Sequence, residues 1–399
     1  MTDPLGQSQV IPYLVGLSKK GFKIHILSCE KKKNYSENKV HISELLKKNN
    51  IDWHPVIYTK SPPVLSTLWD IWRMRRKAIR LHKKENFSIV HCRSYIPSII
   101  GLHLKKAYQV KFIFDMRGFW ADERLDGNIW NIKNPFYNFI YKYFKKKENL
   151  FLSNADYTIS LTEKAKNIIQ QWNTIPNQPI PIQVIPCCTD TDHFSRAKIN
   201  PKTVNLLRNE IGISHDDFII SYLGSLGTWY LLDEMLLFFK LLLKSKPRSK
   251  FFFITHEDSQ KIVNAALKQN IPIEKIIVKH ANREELPSFL SLSNLSIFFI
   301  KPTFSKYASS PTKLGELLSM GVPIICNGNI GDIDVLLKKT NCGLVVENFS
   351  EKSILNVINN IDSLLLKDKS KLREVAISYF SIELGLIYYR QVYNKLCSS

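Results

Sequence analysis

Short apolar, β-branched runs alternate with longer stretches of helical period along almost the whole 399-residue chain, and no other feature constrains its fold as strongly. In the first half the runs Phe22–Cys29, Ser88–Arg93, Lys111–Met116, Tyr157–Leu161 and Val184–Pro186 read as strands. In the second half Phe218–Leu223, Phe251–Thr255, Lys275–Lys279, Leu295–Ile300, Pro323–Cys326 and Gly343–Val346 read the same way. Between them, Ser8–Lys19, Leu231–Leu243, Asp258–Gln269, Arg283–Leu292 and Ser353–Leu365 carry apolar residues at helical spacing. This alternation predicts α/β architecture, with parallel sheets covered by helices on both faces.

The pattern breaks near Asp190–Thr203, a polar stretch with Pro201, and restarts at Phe218. We read the break as a linker between two doubly wound domains, which suits the chain length. The expected boundaries are 1–195 and 196–378, with 379–399 forming a last helix that crosses back to the first domain. That helix, Ile382–Leu396, carries Tyr388, Tyr389 and Tyr393. A doubly wound domain opens with a strand and then a glycine-bearing turn. Here the chain begins in the turn, Asp3-Pro4-Leu5-Gly6, so the first strand of the N-terminal domain is expected to be missing, as after a late start codon or a truncation.

No apolar run approaches the roughly 18 residues a membrane-spanning helix needs. Met1-Thr2-Asp3-Pro4 lacks the basic and apolar parts of a signal peptide, so a cytoplasmic location is expected. Seven scattered cysteines with no CxxC, and ten histidines with no HxxxH, argue against a disulfide framework or a structural zinc site, and no metal is expected. The formal net charge of +21 favours phosphate-bearing or anionic partners, although evenly spread lysine also reads as compositional background.

The densest motif is Ser309–Pro323, SSPTKLGELLSMGVP. Ser310 suits an N-cap and Pro311 the first helical position, while Gly321 and Pro323 end the helix. Free backbone amides at such a helix start attract an anion. Lys313 in the first turn opposes the helix dipole, which makes sense if a phosphate lies between them; pairing with Glu316 on a solvated face is the competing reading. Glu316, one turn deeper, suits hydrogen bonds from a ribose diol, a role that acidic residues take in dinucleotide folds. A second loop, Ser221–Thr228, follows a strand and precedes a helix. Its Gly224 and Gly227, flanked by Ser225 and Thr228, let backbone amides approach a diphosphate, though plain turn glycines explain them as well.

In the first domain, Phe114–Arg124 is crowded with charge and aromatic groups. Trp120 and Phe119 are candidates to stack on a sugar face, and Asp115, Arg117, Asp122 and Glu123 to position a hydroxyl or a diphosphate, with Arg93 on the same sheet edge. An internal salt-bridge network of Arg117 and Arg124 with these acids is the competing reading. Two further stretches interleave cations with aromatic and apolar residues. Ile71–Lys84 holds seven Lys/Arg with Ile71, Trp72, Met74, Ile79 and Leu81 between them, and Asn134–Leu152 mixes Phe136, Tyr137, Phe139, Tyr141, Tyr143 and Phe144 with Lys142 and Lys145 to Lys147. Both suit peripheral docking on an anionic membrane, or helices packing an aromatic face on a sheet with solvated lysines outside.

These residues carry a family resemblance. Asp3–Val10, Phe114–Glu123, Val184–Cys187 with Asp190 and Phe194, Gly224–Tyr230 and Ser309–Pro323 follow one another as in glycosyltransferase family 4, and the chain resembles a GT-B enzyme of that family along nearly its whole length. The resemblance implies two Rossmann-like domains facing a cleft and a retaining, metal-independent transfer from a nucleoside-diphosphate sugar. It implies diphosphate contacts from Thr312 and Lys313, a ribose contact from Glu316 and a base near Lys279-His280, with Ser310 a further nucleotide-sugar candidate. The acceptor side is expected to involve Gly6, Gln7, Arg93, Trp120 and Glu123, with catalytic groups among Asp115, Arg117, Asp122 and Lys313. Three departures stand out: Ala308 replaces the first glutamate of the usual pair, Ser225 and Tyr230 replace the usual Arg and Lys of the glycine loop, and Phe114–Glu123 holds no histidine. Phosphate-binding charge is therefore expected from Lys313, Lys301 or Arg117.

The expected function is transfer of a sugar, with a UDP-sugar favoured, to a glycan or polyprenyl-linked acceptor in bacterial surface polysaccharide assembly (lipopolysaccharide or capsule), on the inner face of the cytoplasmic membrane. No cofactor beyond the sugar nucleotide and no nucleic-acid partner is expected. A catalytically degenerate nucleotide- or glycan-binding protein is the first competitor; a nucleic-acid-binding protein is the second.

Overall fold

The computed structural model describes residues 1–62 and 64–398. The chain divides into two compact units, Met1–Cys188 with Ile382–Ser399, and Thr189–Ser381. The transitions fall at 188/189 and 381/382, a few residues from the expected 195 and 378. The polar stretch expected as a linker is built into the second unit instead. Asp190 Oδ1 accepts the backbone N–H groups of Asp192 and His193, Phe194 is fully buried, and Asn200 caps a helix by accepting from Lys202 N at 2.9 Å.

The first unit runs α1 (Pro4–Gln9), α2 (Ile11–Ser18), β1 (Ile24–Glu30), α3 (Lys32–Lys48), β2 (Ile51–Ile57), α4 (Leu65–Glu85), β3 (Ile89–Arg93), α5 (Tyr95–Tyr108), β4 (Lys111–Asp115), α6 (Trp120–Asp126), α7 (Pro135–Asn154), β5 (Tyr157–Ser160), α8 (Glu163–Gln170) and β6 (Ile182–Val184). The helix expected over Ser8–Lys19 is broken at Val10, because Pro12 has no N–H to continue the ladder and its ring crowds the preceding turn. All strand pairs are parallel, in two sheets: β1 with β2, and β3-β4-β5-β6. Strand β2 was not foreseen: Pro55 interrupts its pattern, and a strand at a sheet edge tolerates that proline.

The second unit runs α9 (Pro201–Glu210), β7 (Phe218–Leu223), α10 (Leu232–Ser245), β8 (Ser249–Ile254), α11 (Ser259–Lys268), β9 (Ile276–Lys279), α12 (Leu286–Ser291), β10 (Leu295–Phe298), α13 (Thr312–Ser319), β11 (Ile324–Asn327), α14 (Ile333–Thr340), β12 (Gly343–Val346), α15 (Glu351–Asn359), α16 (Ile361–Leu365) and α17 (Lys369–Phe380). Its strands form one parallel sheet in the order β12-β11-β10-β7-β8-β9. Phe251, Phe252 and Phe253 of β8 are all fully buried, which requires cover on both faces of the sheet, as parallel sheets have. The final helix α18 (Ile382–Cys397) belongs to the first unit. It packs on α2 so closely that a Cβ at Gly16 would lie 2.5 Å from Leu386.

Among the described residues no helix is long and apolar enough to cross a membrane.

Candidate functional site

The order of the second sheet creates a crevice. From β7 the chain winds outward through β8 and β9, then returns to β10 on the other side of β7 and winds away through β11 and β12. The connections after β7 and β10 thus diverge at the carboxyl edge, and ligands of open α/β sheets bind at such a switch point. The two connections are stapled together. Tyr230 and Ile300 form an antiparallel bridge, Leu231 N donates to Phe299 O at 3.0 Å, and Lys301 N donates to Trp229 O at 2.9 Å. Asn327, at the end of β11, fixes Ile300 by accepting from its N–H at 2.8 Å and donating to its carbonyl at 2.9 Å.

Lys313 projects into this crevice from the first turn of α13. Only 7% of the residue is exposed, so the solvated-face reading fails. Its Nζ lies 3.7 Å from the Tyr230 ring centre, 4.4 Å from that of Tyr222 and 5.6 Å from that of Phe298, and donates to Tyr222 Oη at 3.4 Å. A Cβ built on Gly224 would lie 3.2 Å from the same Nζ, so any side chain at this position would crowd the amine. With φ at +110°, Gly224 also needs a conformation that other residues rarely adopt. Burial pushes the Lys313 amine down to about 7, with Glu316 partly opposing the shift. A buried cation flanked by aromatic faces has lost its hydration and gains most from an arriving anion.

Glu316, also buried, lies one helical turn on, and its Oε1 is 3.8 Å from Arg283 Nη1. Burial raises its carboxyl above the ordinary range, while Arg283 and Lys313 pull it back. Arg283 lies over the Phe194 ring at 5.6 Å, and its carbonyl accepts from His193 Nε2 at 2.9 Å. Spacing offered no hint of Arg283, which approaches from a connection 33 positions earlier in the chain, nor of Tyr222 as part of the lysine's surroundings.

Several expectations change in detail. Ser310 is not the N-cap: α13 begins at Thr312, with Pro311 in the cap position and no side-chain cap bond. Ser225 and Thr228 are exposed at the loop tip, where the Ser225 carbonyl accepts from Tyr222 Oη at 2.6 Å. His280 is exposed beyond β9, edge-on to His256 with ring centres 3.8 Å apart. Lys306, unremarked in the sequence, lies buried over the Trp229 ring at 3.6 Å.

In the first unit a second constellation forms at the carboxyl ends of β3 and β4. Asp115 is buried, with Arg93 Nη1, His91 Nε2 and Tyr389 Oη each 3.5 Å from its Oδ2, and Arg117 Nη1 3.9 Å from Oδ1. Burial alone would raise the Asp115 carboxyl; Arg117, with His91 and Arg93, holds it below its ordinary value. Arg117 adopts φ of +55° and donates to Cys187 Sγ at 3.1 Å. Arg93, Asp115 and Arg117 are therefore brought together as the sequence suggested.

Asp122 is not part of that group. It is buried, and its two oxygens accept from Tyr141 Oη and Lys145 Nζ, each at 2.8 Å. Those bonds tie Asp122 into the packing of α6 on α7 and away from the Asp115 group. Phe119 is buried against Trp172, which withdraws its ring as a platform for a sugar, while Trp120 is half-buried and packs among Tyr95, Trp130 and Phe144. Gln7 Nε2 donates to the Thr2 carbonyl at 3.1 Å, and Gly6 sits where a Cβ would collide with Met1 at 2.8 Å. Those contacts give both residues a packing role.

Two Rossmann-like parallel units, one opening a crevice beside a buried lysine and carboxylate, place the chain in the GT-B class of glycosyltransferases. Residues 9–193 match the family model described as Glycosyltransferase Family 4, and residues 204–379 match Glycosyl transferases group 1. The chain belongs to the family 4 glycosyltransferases. No curated protein matches it in sequence. Among solved structures it resembles a glycosyltransferase from Rickettsia africae (18% identical, TM-score 0.66, covering 94% of this chain and 99% of that one). It also resembles HepE of Anabaena in complex with UDP-glucose (12% identical, TM-score 0.68, covering 100% and 98%). A third is WaaG, a glycosyltransferase involved in lipopolysaccharide biosynthesis (13% identical, TM-score 0.63, covering 94% and 93%). At these identities the likeness speaks for the fold.

Proposed function

We propose that the chain takes its sugar from a UDP-sugar held by the second unit and transfers it, with retention, to a lipid-linked or free glycan acceptor held by the first. The observation that carries this reading is Lys313 Nζ standing 3.2 Å from where a Gly224 Cβ would lie, at the switch point and one turn from the buried Glu316. A diphosphate placed there would face the free amides of α13, the glycine loop and one ammonium, and the adjoining ribose would reach Glu316. As the bond to the sugar lengthens, negative charge grows on the leaving phosphate oxygen. Lys313 and the amides, already in place, stabilise that charge without reorganisation. The first unit's acceptor side is assigned to Arg93, Asp115 and Arg117. We assign no metal to the reaction, because Lys313 supplies the charge at the leaving group.

The donor class is taken from HepE, solved with UDP-glucose, and a role in bacterial surface polysaccharide assembly from WaaG, which is involved in lipopolysaccharide biosynthesis; the inner face of the cytoplasmic membrane is part of the same proposal. Thermal-shift measurements with UDP-, GDP-, ADP- and CMP-sugars test the donor, since a ligand bound only by the folded state raises the midpoint. UDP-sugars are expected to give the largest shift. No shift with any of them would contradict the reading, and the configuration of the new glycosidic bond by NMR tests retention.

A further inference from the structure

The helical layer of the first unit carries an exposed surface that the sugar-transfer chemistry does not use. Helices α4, α5 and α7 lie side by side, α5 packing against both neighbours. Each either follows a strand of the parallel set or leads into the next one, so all three begin at the carboxyl edge, the edge that carries Arg93 and Arg117. On α4 the exposed positions in the first two turns are Leu65, Leu68, Trp69 and Trp72, a stripe at helical spacing. Leu65 is 64% exposed, and the two indoles, 51% and 45% exposed, stack on each other with ring centres 4.8 Å apart. Further along, the same face turns basic at Arg76 and Arg80, with the Arg76 guanidinium 4.6 Å from the Trp72 ring. Helix α7 repeats the layout: Phe136, Phe139 and Tyr143 are exposed, Phe139 by 69%, followed by Lys142 and Lys146.

Neither exposed face carries an acid. From Leu65 to Lys84 the one carboxylate is Asp70, buried and accepting from Thr59 N at 2.7 Å; from Pro135 to Lys147 there is none. Grouped exposed apolar side chains mark an interaction surface, and a ring of cations selects an anionic partner. Indoles above arginines match the depth profile of a bilayer surface, with aromatic rings at the headgroup boundary and cations among lipid phosphates. A second copy of this chain fits poorly, because pairing like patches would bring the cations together.

We infer that the exposed faces of α4 from Leu65 to Arg80 and of α7 from Phe136 to Lys146 form one docking face for an anionic lipid bilayer, seating the sheet's carboxyl edge against the membrane. This deepens the proposed function by naming the lipid surface that delivers the acceptor.

Flotation of the full chain with vesicles tests it, using phosphatidylcholine alone and an equal mixture with phosphatidylglycerol. The wild type is expected to float with the mixed vesicles only, and less so as salt is raised. The double variant Trp69→Ser/Trp72→Ser is expected to bind about tenfold more weakly or worse, and Arg76→Glu/Arg80→Glu to lose the preference for phosphatidylglycerol. Unchanged thermal midpoints and UDP affinity establish that the variants are folded. Equal flotation of wild type and Trp variant, or none with either vesicle, overturns the inference. So does a dimer in gel filtration that the Trp variant dissolves, or an RNA mobility shift that depends on both indoles. Vesicle binding without UDP binding would instead sink the donor assignment and leave this surface standing.

Discussion

The Nζ of Lys313 and the ring of Tyr230 meet at 3.7 Å, at a loop position where the family resemblance implies a cation and this chain has an aromatic face. One residue thus supplies the charge, and the other helps to hold it out of water. A charge stored in this way is held at a cost to stability, and what it gains on meeting an anion is correspondingly large.

Binding of a nucleoside diphosphate is expected to weaken as pH rises. In the free protein Lys313 loses its proton through about pH 7, because burial disfavours the ammonium. A bound diphosphate favours the ammonium, so binding above that pH takes up a proton, and affinity falls by up to about tenfold per unit until the bound-state value is passed. Calorimetry of UDP from about pH 7 to about pH 9, repeated in buffers of different ionisation enthalpy, reads both the slope and the proton. A flat profile without proton uptake contradicts the account. The linkage to folding has the opposite sign. Unfolded Lys313 titrates near 10.5, so between about 7 and 10.5 the unfolded chain binds the extra proton, and this group's effect on stability improves with rising pH.

Lys313→Met separates binding from stability. Losing a charge-assisted contact costs about 1.5–3 kcal/mol, or about ten- to a hundredfold in UDP affinity. Replacing a buried, desolvated amine by an apolar chain of similar length is expected to raise the thermal midpoint by a few degrees. A variant that binds UDP as well as the wild type would assign the lysine to packing.

Asp122→Ala is expected to act in the other direction. It strips a hydrogen bond from Tyr141 and leaves Lys145 with Glu148 alone, and removal of one member of a buried charged set costs roughly 3–5 kcal/mol. The thermal midpoint drops, while UDP affinity, which resides in the second unit, stays unchanged. A stable variant that binds UDP but transfers no sugar would return Asp122 to the chemistry.

Turnover is expected to survive chelation. With Lys313 and helix amides at the leaving group, EDTA leaves the initial rate unchanged, whereas a loss that magnesium or manganese restores would put a cation at the diphosphate.

The fold was legible where a single element decided its own structure. Phe218–Leu223 and Gly343–Val346 run between the residues read as strands, the first because nearly every position is buried and apolar, the second because a short β-branched run stands alone between polar segments. Pro55 hid β2, since its tolerance depends on the strand standing at an edge, which is a tertiary fact. Pro12 divided one expected helix, a local signal that the apolar spacing of Val10, Tyr13, Leu14 and Leu17 outweighed. At the site, Lys313 and Glu316 stood out from their positions in the motif, but spacing alone could not distinguish a solvated pair from a buried one. The aromatic surroundings of Lys313 and the approach of Arg283 to Glu316 come from separate connections brought together by the switch in strand order, so no local pattern announces them.

Titration calorimetry of UDP against wild type and Glu316→Ala, with circular dichroism to confirm the fold, tests the donor site most directly. Loss of the ribose contact is expected to weaken binding by about tenfold or more. Unaltered affinity in the folded variant would remove the nucleotide from this crevice, and the assignment of Lys313 to the leaving group would go with it.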